Sequence, residues 1–342
     1  MRDGRKEWDA THDVIVVGSG AGALTGALAA AGDGLDTVVL ERTALLGGTS
    51  AYSGAACRLP GTQVRERAGP DDSTEAAGNY LRALTGDAGT EHLDAFLRHA
   101  PEPVARLEDD PAIAFEWRAF PDYVAAPGRM DAGRSFVPLD LAPELLGEPL
   151  PLVCPAVDRD RAGEGHPDAP LSAGRALIGG LLLAATRTGH AHVRTGHHVT
   201  GLVTEDGHVT GVEARTAHGT VRVRARHGAL LAAGGFEGDD TLRAGHRVPG
   251  SAAWSMAPRG TDTGEVLRAA VGAGAATGYM DEAWWCPGAE LPDGTAASIR
   301  SRSPSKGTGP SHVLLSRSGR PSWPRGSGRG THRRRAPPGP PR

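Results

Sequence analysis

The clearest chemical pattern near the N-terminus is a glycine-rich turn made of Gly18, Ser19, Gly20, Ala21, Gly22 and Ala23. It fits the spacing G-x-G-x-x-G/A, in which the first glycine permits a tight turn and the second lets the backbone approach a diphosphate. The third small residue keeps a helix close to a strand. The N–H groups at the start of that helix can then bind the anion. Glu41 follows at the distance where a carboxylate accepts hydrogen bonds from a ribose. Together these residues predict a dinucleotide-binding site.

Three predicted elements would position these residues. Residues 13–17 form a short, β-branched apolar run typical of a buried strand, residues 21–31 are rich in Ala and Leu and favour a helix, and residues 37–40 predict a second buried strand. A strand, a glycine turn, a helix and a strand within about thirty residues make a βαβ unit with parallel strands. The glycine pattern is much more specific in that context than alone, the alternative being a purely structural turn.

A second segment rich in small residues follows Glu41 and consists of Gly47, Gly48, Thr49, Ser50, Ala51, Tyr52, Ser53 and Gly54. Such a chain can lie against an extended dinucleotide and a flat ring, which a simple NAD domain does not require. It therefore favours FAD over NAD, unless it is a flexible Gly/Ser loop. Residues 231–236 offer another close approach to the cofactor, although a buried strand followed by a turn explains them nearly as well. The remaining predicted cofactor contacts are Arg42, Val199, Ala232, Ala233 and Gly234.

The rest of the chain continues an α/β pattern. We predict helices at residues 73–84, 92–107, 173–188 and 263–276, and strands at 192–195, 199–204, 208–215, 221–225 and 229–232. Asp206 and Gly207, between two of these strands, are typical of a hairpin turn. From about Arg300 the periodicity disappears, and the composition predicts disorder after Arg320.

Charge is unequally distributed along the chain. The last 43 residues contain ten Arg and one Lys without any Asp or Glu, so they carry +11, and the net charge of −3 leaves −14 on residues 1–299. An acidic body is poorly suited to nucleic acid, because phosphate binding depends on Lys and Arg. We therefore expect a small-molecule substrate and no nucleic acid.

The three cysteines, Cys57, Cys154 and Cys286, are far apart and form no Cys-x-x-Cys pair. They predict neither a disulfide framework nor a metal site. The N-terminus has no apolar signal core, and the longest apolar run, residues 176–185, has about half the length that a membrane span needs. These features predict a cytoplasmic protein without an integral membrane segment.

With these residues in place, the chain resembles the flavoprotein family that includes the fumarate reductases and the 3-ketosteroid Δ1-dehydrogenases. The broad family shares VIVVGSGAGA at 14–23, GGTSAYSGA at 47–55 and LAAGGF at 231–236. More specific to the steroid branch are FPDYVAAPGR at 120–129, GRALIGGLLLA at 174–184 and MDEAWWCPG at 280–288. The resemblance implies FAD as the cofactor and a 3-ketosteroid as the substrate, and it leaves the electron acceptor open.

The resemblance also implies a reaction. In the family, a hydride passes from C1 of the steroid A ring to FAD, and a tyrosine removes a proton from C2. Donors that hold the C3 ketone oxygen make that proton more acidic. Tyr123 matches the family tyrosine that reaches the substrate pocket and supports the catalytic base. The alternative for Tyr123 is an amphipathic loop residue with a packed ring and an exposed hydroxyl. The reaction requires no metal.

The C-terminal part departs from the family. The proton-abstracting tyrosine should follow residues 313–320, but Pro321, Ser322 and Trp323 stand there, and all four tyrosines of the chain precede residue 280. We therefore expect a truncated substrate domain and impaired activity. A frameshift near Arg320 and a genuine basic tail are the two explanations, of which we prefer the frameshift.

These expectations define a division of the chain. The predicted FAD-binding domain covers residues 11–283, with a substrate-facing insertion at about 70–170, and it is Rossmann-like α/β with a parallel sheet. Residues 284–320 would begin the truncated substrate domain, and residues 321–342 would form the disordered basic tail.

Two other functions stay open. One is a fumarate reductase-type flavoprotein acting on a small dicarboxylate, which would need clustered Arg and His to hold two carboxylates. His197, His198 and Arg259 are present but form no clear constellation in the sequence. The other is a fragment that binds FAD without turnover.

Overall fold

The computed structural model describes residues 7–69, 73–86 and 89–283, together with residues 285, 288–290, 292, 294 and 296–298. The helices are α1 (Ala21–Gly32), α2 (Gly48–Tyr52), α3 (Gln63–Arg67), α4 (Thr74–Thr85), α5 (Thr90–His99), α6 (Pro101–Glu108), α7 (Val157–Arg161), α8 (Gly174–Arg187), α9 (Asp240–Gly245) and α10 (Glu265–Gly272). The strands are β1 (Ala10–Val17), β2 (Thr37–Leu40), β3 (Phe115–Trp117), β4 (Phe136–Pro138), β5 (Ala191–Arg194), β6 (His198–Glu205), β7 (His208–Thr216), β8 (Gly219–Leu231), β9 (Gly288–Glu290) and β10 (Ala296–Ser298). The predicted α/β class is confirmed.

A six-stranded sheet with the order β5-β2-β1-β8-β7-β6 forms the centre of the fold. The strands β5, β2, β1 and β8 run parallel, whereas β7 is antiparallel to both β8 and β6. The carboxyl ends of β2, β1 and β8 therefore meet at one edge of the sheet. Ligands of open α/β sheets bind outside these ends, so the topology places the glycine-rich turn where a cofactor is expected.

Both faces of the sheet are covered. Ile15 and Val17 of β1 pack with Val199, Val212 and Val223 of the other strands, whereas the intervening Val16 packs with α1 and α8 on the opposite face. Successive side chains of a strand point to opposite faces, so a stretch of strand covered on both sides, such as residues 15–17 of β1, is apolar at successive positions. This explains the continuous apolar runs that predicted β1 and β2.

Some predicted elements have different limits. The helix expected at 92–107 is wrong as a single element, because the chain forms α5 and then α6, which begins at Pro101; proline lacks the N–H that would continue the helix. The strands expected at 221–225 and 229–232 are one strand, β8, whose register against β1 shifts between His12 and Val14. The helix expected at 263–276 begins only at Glu265, after Gly264 in a left-handed conformation.

The predicted hairpin is confirmed. Asp206 and Gly207 connect β6 to β7 and have φ angles of 50° and 78°, the pair of positive values that a type I′ turn requires. Within the described residues, no helix has both the length and the apolar character to cross a membrane. The tail predicted at 321–342, most of residues 284–320 and Cys286 lie outside the described residues.

Candidate cofactor-binding site

A pocket opens at the carboxyl ends of β1, β2 and β8, where the glycine-rich turn lies. Most of the predicted cofactor residues line it: Gly18, Ser19, Gly20, Ala21, Gly22, Ala23, Glu41, Arg42, Gly48, Thr49, Ser50, Val199, Ala232, Ala233 and Gly234. Gly47, Ala51, Ser53, Gly54 and Tyr123 are not among the lining residues. Segments far apart in the sequence therefore converge on one pocket.

The glycine-rich turn is fixed by close backbone contact. Gly18 has a φ of +100°, and a Cβ there would lie 2.5 Å from the carbonyl oxygen of Ala232. No other residue fits without displacing the end of β8. Gly20 is the N-cap of α1 in an extended conformation and has no side chain of its own to cap the helix. The Ala21 N–H donates to Ser50 Oγ at 3.1 Å, which ties this turn to the second glycine-rich segment.

Glu41 ends at the pocket wall and is only 7% exposed. Ser19 Oγ donates to Glu41 Oε2 at 2.6 Å, and the Thr43 N–H donates to Glu41 Oε1 at 2.9 Å. The Ser19 hydroxyl in turn accepts from the Gly47 N–H at 3.0 Å. A carboxylate has about four acceptor positions, so these donors orient Glu41 and leave it capacity to accept from a ligand.

The second glycine-rich segment is not a flexible Gly/Ser loop. Residues 48–52 form α2, which begins after Gly47 with a φ of 105°. A Cβ at Gly47 would lie 2.8 Å from the Ala51 Cβ and 3.0 Å from Ile178 of α8. Gly47 and Ala51 therefore serve packing, and Gly48, Thr49 and Ser50 face the pocket.

Residues 261–267 form a wall of the pocket that sequence reasoning missed. They include Asp262 and Thr263, which precede α10. A signal was present, because Gly260 and Gly264 bracket small hydroxyl and acidic residues directly before a helix, much like the first glycine-rich turn. Without a strand immediately before it, this turn did not match the dinucleotide pattern.

A chain of charged groups holds that wall in place. Arg42 Nη1 donates to Thr263 Oγ1 at 2.8 Å and lies 3.4 Å from Glu265 Oε2. His198 Nε2 hydrogen-bonds the same Glu265 oxygen, and Arg215 Nη2 donates to His198 Nδ1 at 2.9 Å. Burial opposes ionisation of Glu265, but the His198 hydrogen bond and the Arg42 charge outweigh it and lower the pKa of Glu265. His198 is thus engaged by Glu265 within the protein.

Tyr123 lies elsewhere, in the loop between β3 and β4. Its side chain is 44% exposed, and its ring packs edge-on against Phe120 at 5.5 Å and under the Arg58 guanidinium at 4.1 Å. The preceding residue, Asp122, is buried and forms an ion pair with the equally buried Arg134. This buried ion pair anchors the loop next to Tyr123.

The described residues contain no group of three or more His, Cys, Asp or Glu side chains placed to hold a metal ion. The thiol of Cys154 is buried beside α2, and its burial, together with the nearby charges of Asp160 and Glu41, raises its pKa to about 12. It is therefore a neutral packing group at ordinary pH.

Comparison with known proteins assigns the family. The family model described as "FAD binding domain" matches residues 13–321. The chain belongs to this family, and FAD is its cofactor.

Among curated proteins, the chain is 48% identical over 259 residues to a 3-oxosteroid 1-dehydrogenase of Rhodococcus opacus, a match that covers 75% of this chain and 50% of the relative. It is 33% identical over 318 residues to a 3-oxosteroid 1-dehydrogenase of Mycobacterium tuberculosis, covering 80% of this chain and 56% of that protein. The chain thus spans about half the length of the curated relatives it matches.

Among solved structures, the chain is similar to the 3-ketosteroid Δ1-dehydrogenase of Sterolibacterium denitrificans in complex with 1,4-androstadiene-3,17-dione. The TM-score is 0.74 at 29% identity, covering 84% of this chain and 59% of the other. A flavocytochrome c3 fumarate reductase matches with a TM-score of 0.52 at 20% identity, covering 79% of this chain and 41% of the other. The second likeness is one of fold alone.

Proposed function

We propose that the chain is the FAD-binding part of a dehydrogenase that introduces a double bond beside a ring ketone, with 3-ketosteroids as the substrate class. The observation that carries the proposal is the 48% identity to the Rhodococcus opacus 3-oxosteroid 1-dehydrogenase over three quarters of the chain. The expected change is the loss of a hydride from C1 and a proton from C2 of the steroid A ring. The fumarate reductase-type alternative has weaker support, because His198 is engaged by Glu265.

The pocket residues suit this cofactor. The start of α1 would hold the diphosphate with its N–H groups, because an anion is favoured at the positive end of a helix. Glu41, oriented by Ser19 and Thr43, would accept from the adenosine ribose. The small residues Ala232, Ala233 and Gly234 would let the backbone lie against the rest of the molecule. Bound FAD would supply the two-electron acceptor.

Tyr123 is proposed to contact the substrate. Its support is the segment 120–129, which resembles the steroid branch, and the exposed ring that Arg58 and Phe120 hold from one side. The buried ion pair between Asp122 and Arg134 would hold the loop, and with it the Tyr123 hydroxyl, in one position. The loop would thereby hold the Tyr123 hydroxyl in the substrate pocket, where the family resemblance implies that it supports the catalytic base.

A smaller ring ketone is the second candidate substrate. The chain is 35% identical over 312 residues to a 4-oxocyclohexanecarboxylate 2-dehydrogenase of Sinomonas cyclohexanicum, covering 81% of this chain and 52% of that protein. Both reactions would desaturate a carbon–carbon bond next to a ring ketone. The choice between them is one of substrate size.

The test uses the purified full chain, loaded with FAD and kept free of oxygen. Addition of 4-androstene-3,17-dione should bleach the flavin absorbance slowly, because no tyrosine follows residues 313–320 to abstract the proton, whereas succinate should leave the absorbance unchanged. 4-Oxocyclohexanecarboxylate tests the smaller ketone. Bleaching by succinate alone would contradict the proposal. If no ketone changed the flavin spectrum, the proposal would also fail for this chain, and the chain would be one that binds FAD without turnover.

A further inference from the structure

Asp262 lies in the pocket wall that precedes α10, and its backbone is unusual. Its φ is +51°, a left-handed conformation that side chains other than Asn, Asp and His rarely adopt. Glycine would adopt it with less strain. Aspartate tolerates this conformation, as Asp206 does in the hairpin turn, so the contacts of the Asp262 carboxylate decide its role.

The carboxylate of Asp262 joins separate walls of the pocket. The Gly235 N–H, just after β8, donates to Asp262 Oδ1 at 3.0 Å. Thr49 Oγ1, in the first turn of α2, donates to Oδ2 at 3.4 Å, and Thr261 Oγ1 lies 2.9 Å from the same oxygen. One side chain therefore connects the segments before α10, after β8 and at the start of α2.

The turn after β8 is shaped to this carboxylate. Gly234 has a φ of +77°, and a Cβ there would lie 1.8 Å from Asp262 Oδ1. The backbone adds further links, since the Gly238 N–H donates to the Asp262 carbonyl at 2.9 Å and the Gly264 N–H donates to the Gly235 carbonyl at 3.0 Å. Gly234 and Gly235 therefore pack closely against the Asp262 carboxylate, and a side chain at Gly234 would clash with it.

The negative charge of Asp262 is not an obvious advantage. It faces a pocket proposed to take an anionic cofactor, and it lies near Glu237, whose pKa is raised first by burial and then by the Asp262 charge. Hydrogen-bond acceptance by Asp262 accounts for the observed contacts without any need for its charge. An uncharged amide of the same shape should therefore serve as well, because its oxygen can accept from the Gly235 N–H while its NH2 donates to a threonine hydroxyl.

We propose that Asp262 is a positioning residue for FAD, which sets the pocket wall at Gly234–Gly235 by accepting hydrogen bonds from Gly235 and Thr49. The inference rests on the proposed function for its ligand. The hydrogen bonds of the Asp262 side chain, and not its charge, then set the affinity for FAD. The glycines at 260 and 264 mark this turn in the sequence, but they do not indicate the contacts of Asp262, because Thr49, Gly235 and Asp262 are distant in the chain.

The test measures FAD affinity of the full chain by quenching of flavin fluorescence in three variants. Asp262→Asn tolerates the backbone and keeps an acceptor oxygen for the Gly235 N–H. Its amide NH2 can donate to the Thr49 hydroxyl, which can accept as well as donate, so FAD affinity should stay within about threefold of the wild type. Asp262→Gly relieves the strain but removes the acceptor, so it should bind FAD about tenfold or more weakly without a fall in melting temperature. Asp239→Asn, which alters a similar carboxylate at the start of α9, should leave affinity unchanged.

A second readout works without FAD. Amide hydrogen exchange at Gly235 should be faster in Asp262→Gly and unchanged in Asp262→Asn. If the wild type takes no FAD but this exchange pattern holds, the cofactor proposal fails and the positioning contacts stand. Equal FAD affinity and equal exchange in wild type and Asp262→Gly would overturn the inference. An Asp262→Asn variant as weak as Asp262→Gly would also overturn it, because charge would then be the cause.

Discussion

The cofactor pocket and the loop that carries Tyr123 are built in different ways. The pocket wall from Gly18 to Glu41 follows the ends of central parallel strands, and its shape is set by backbone contacts such as that between Gly18 and Ala232. The loop between β3 and β4 has little regular structure and is anchored by side chains, above all Asp122 and Arg134. A site shaped by backbone contacts depends little on individual side chains, which suits a ligand that a whole family shares. A loop held by side chains depends on particular residues and can differ between family members.

The largest effect should come from breaking the anchor of the loop. Arg134→Met leaves the carboxylate of Asp122 buried without its partner, which should cost about 3–5 kcal/mol of stability. Urea unfolding measures this cost. The matched control is Arg118→Met at the start of the same loop, which removes an exposed ion pair with Glu116 of β3 and should cost less than about 1 kcal/mol.

The same variant tests whether the two regions are independent. FAD affinity of Arg134→Met should stay within about threefold of the wild type, because the loop is not part of the pocket wall. If FAD affinity collapsed while stability stayed normal, the separation of the two regions would be wrong.

The next effect concerns the backbone construction of the pocket. Gly18→Ala adds a Cβ within 2.5 Å of the Ala232 carbonyl at a φ of +100°, so we expect FAD to bind about a hundredfold more weakly, or roughly 2.7 kcal/mol. Equilibrium binding followed by flavin fluorescence measures the change. Gly272→Ala, where a Cβ meets nothing within 4 Å, is the control and should leave affinity unchanged. A Gly18→Ala variant with normal affinity would mean that this turn does not shape the site.

A smaller effect is expected at Glu41, the carboxylate proposed to bind the ribose. Glu41→Gln keeps one acceptor oxygen but loses the charge-assisted bond from Ser19, so FAD should bind about tenfold more weakly. The control is Glu213→Gln, on β7 and outside the pocket lining. Calorimetric titration with FAD measures both variants. If Glu41→Gln and Glu213→Gln bound FAD equally well, Glu41 would not be part of the site.

The smallest effect concerns pH. The pKa of Glu265 is lowered in the folded protein from its ordinary value of 4.5, so the ionised carboxylate contributes stability above pH 4.5. That contribution is lost as pH falls from 4.5 through the folded value. The free energy of unfolding, measured with urea, should therefore be higher for the wild type than for Glu265→Gln at pH 7, by less than about 1 kcal/mol. The two values should converge in acid. A difference that grows as pH falls would reverse the sign and contradict the Arg42–Glu265–His198 arrangement.

The sequence predicted the backbone-built region well. The strand, turn, helix and strand from β1 to β2 are local, so the apolar runs and the glycine spacing were enough to place Gly18 and to bring Glu41 to the same edge. Pro101 is a sequence signal for the boundary between α5 and α6. The helical periodicity on both sides of it nevertheless favours a single helix, which is why the sequence predicts one element there.

The missed residues share a physical cause. Asp262 and Glu265 act through contacts with Thr49, Arg42 and His198, which are distant in sequence. No local spacing encodes such contacts, because they depend on how the sheet brings β2, β6 and the turn before α10 together. The anchoring of Tyr123 by Asp122 and Arg134 was missed for a related reason, since an Asp and an Arg in a loop ordinarily predict exposed charges.

Flavin content of the purified, folded full chain tests the central claim most directly. A pocket at the ends of β1, β2 and β8, with the glycine-rich turn on the helix side and Glu41 on the ribose side, predicts one FAD per chain and a yellow protein. A chain whose circular dichroism shows it folded, yet which is colourless and takes up no added FAD, would contradict the account.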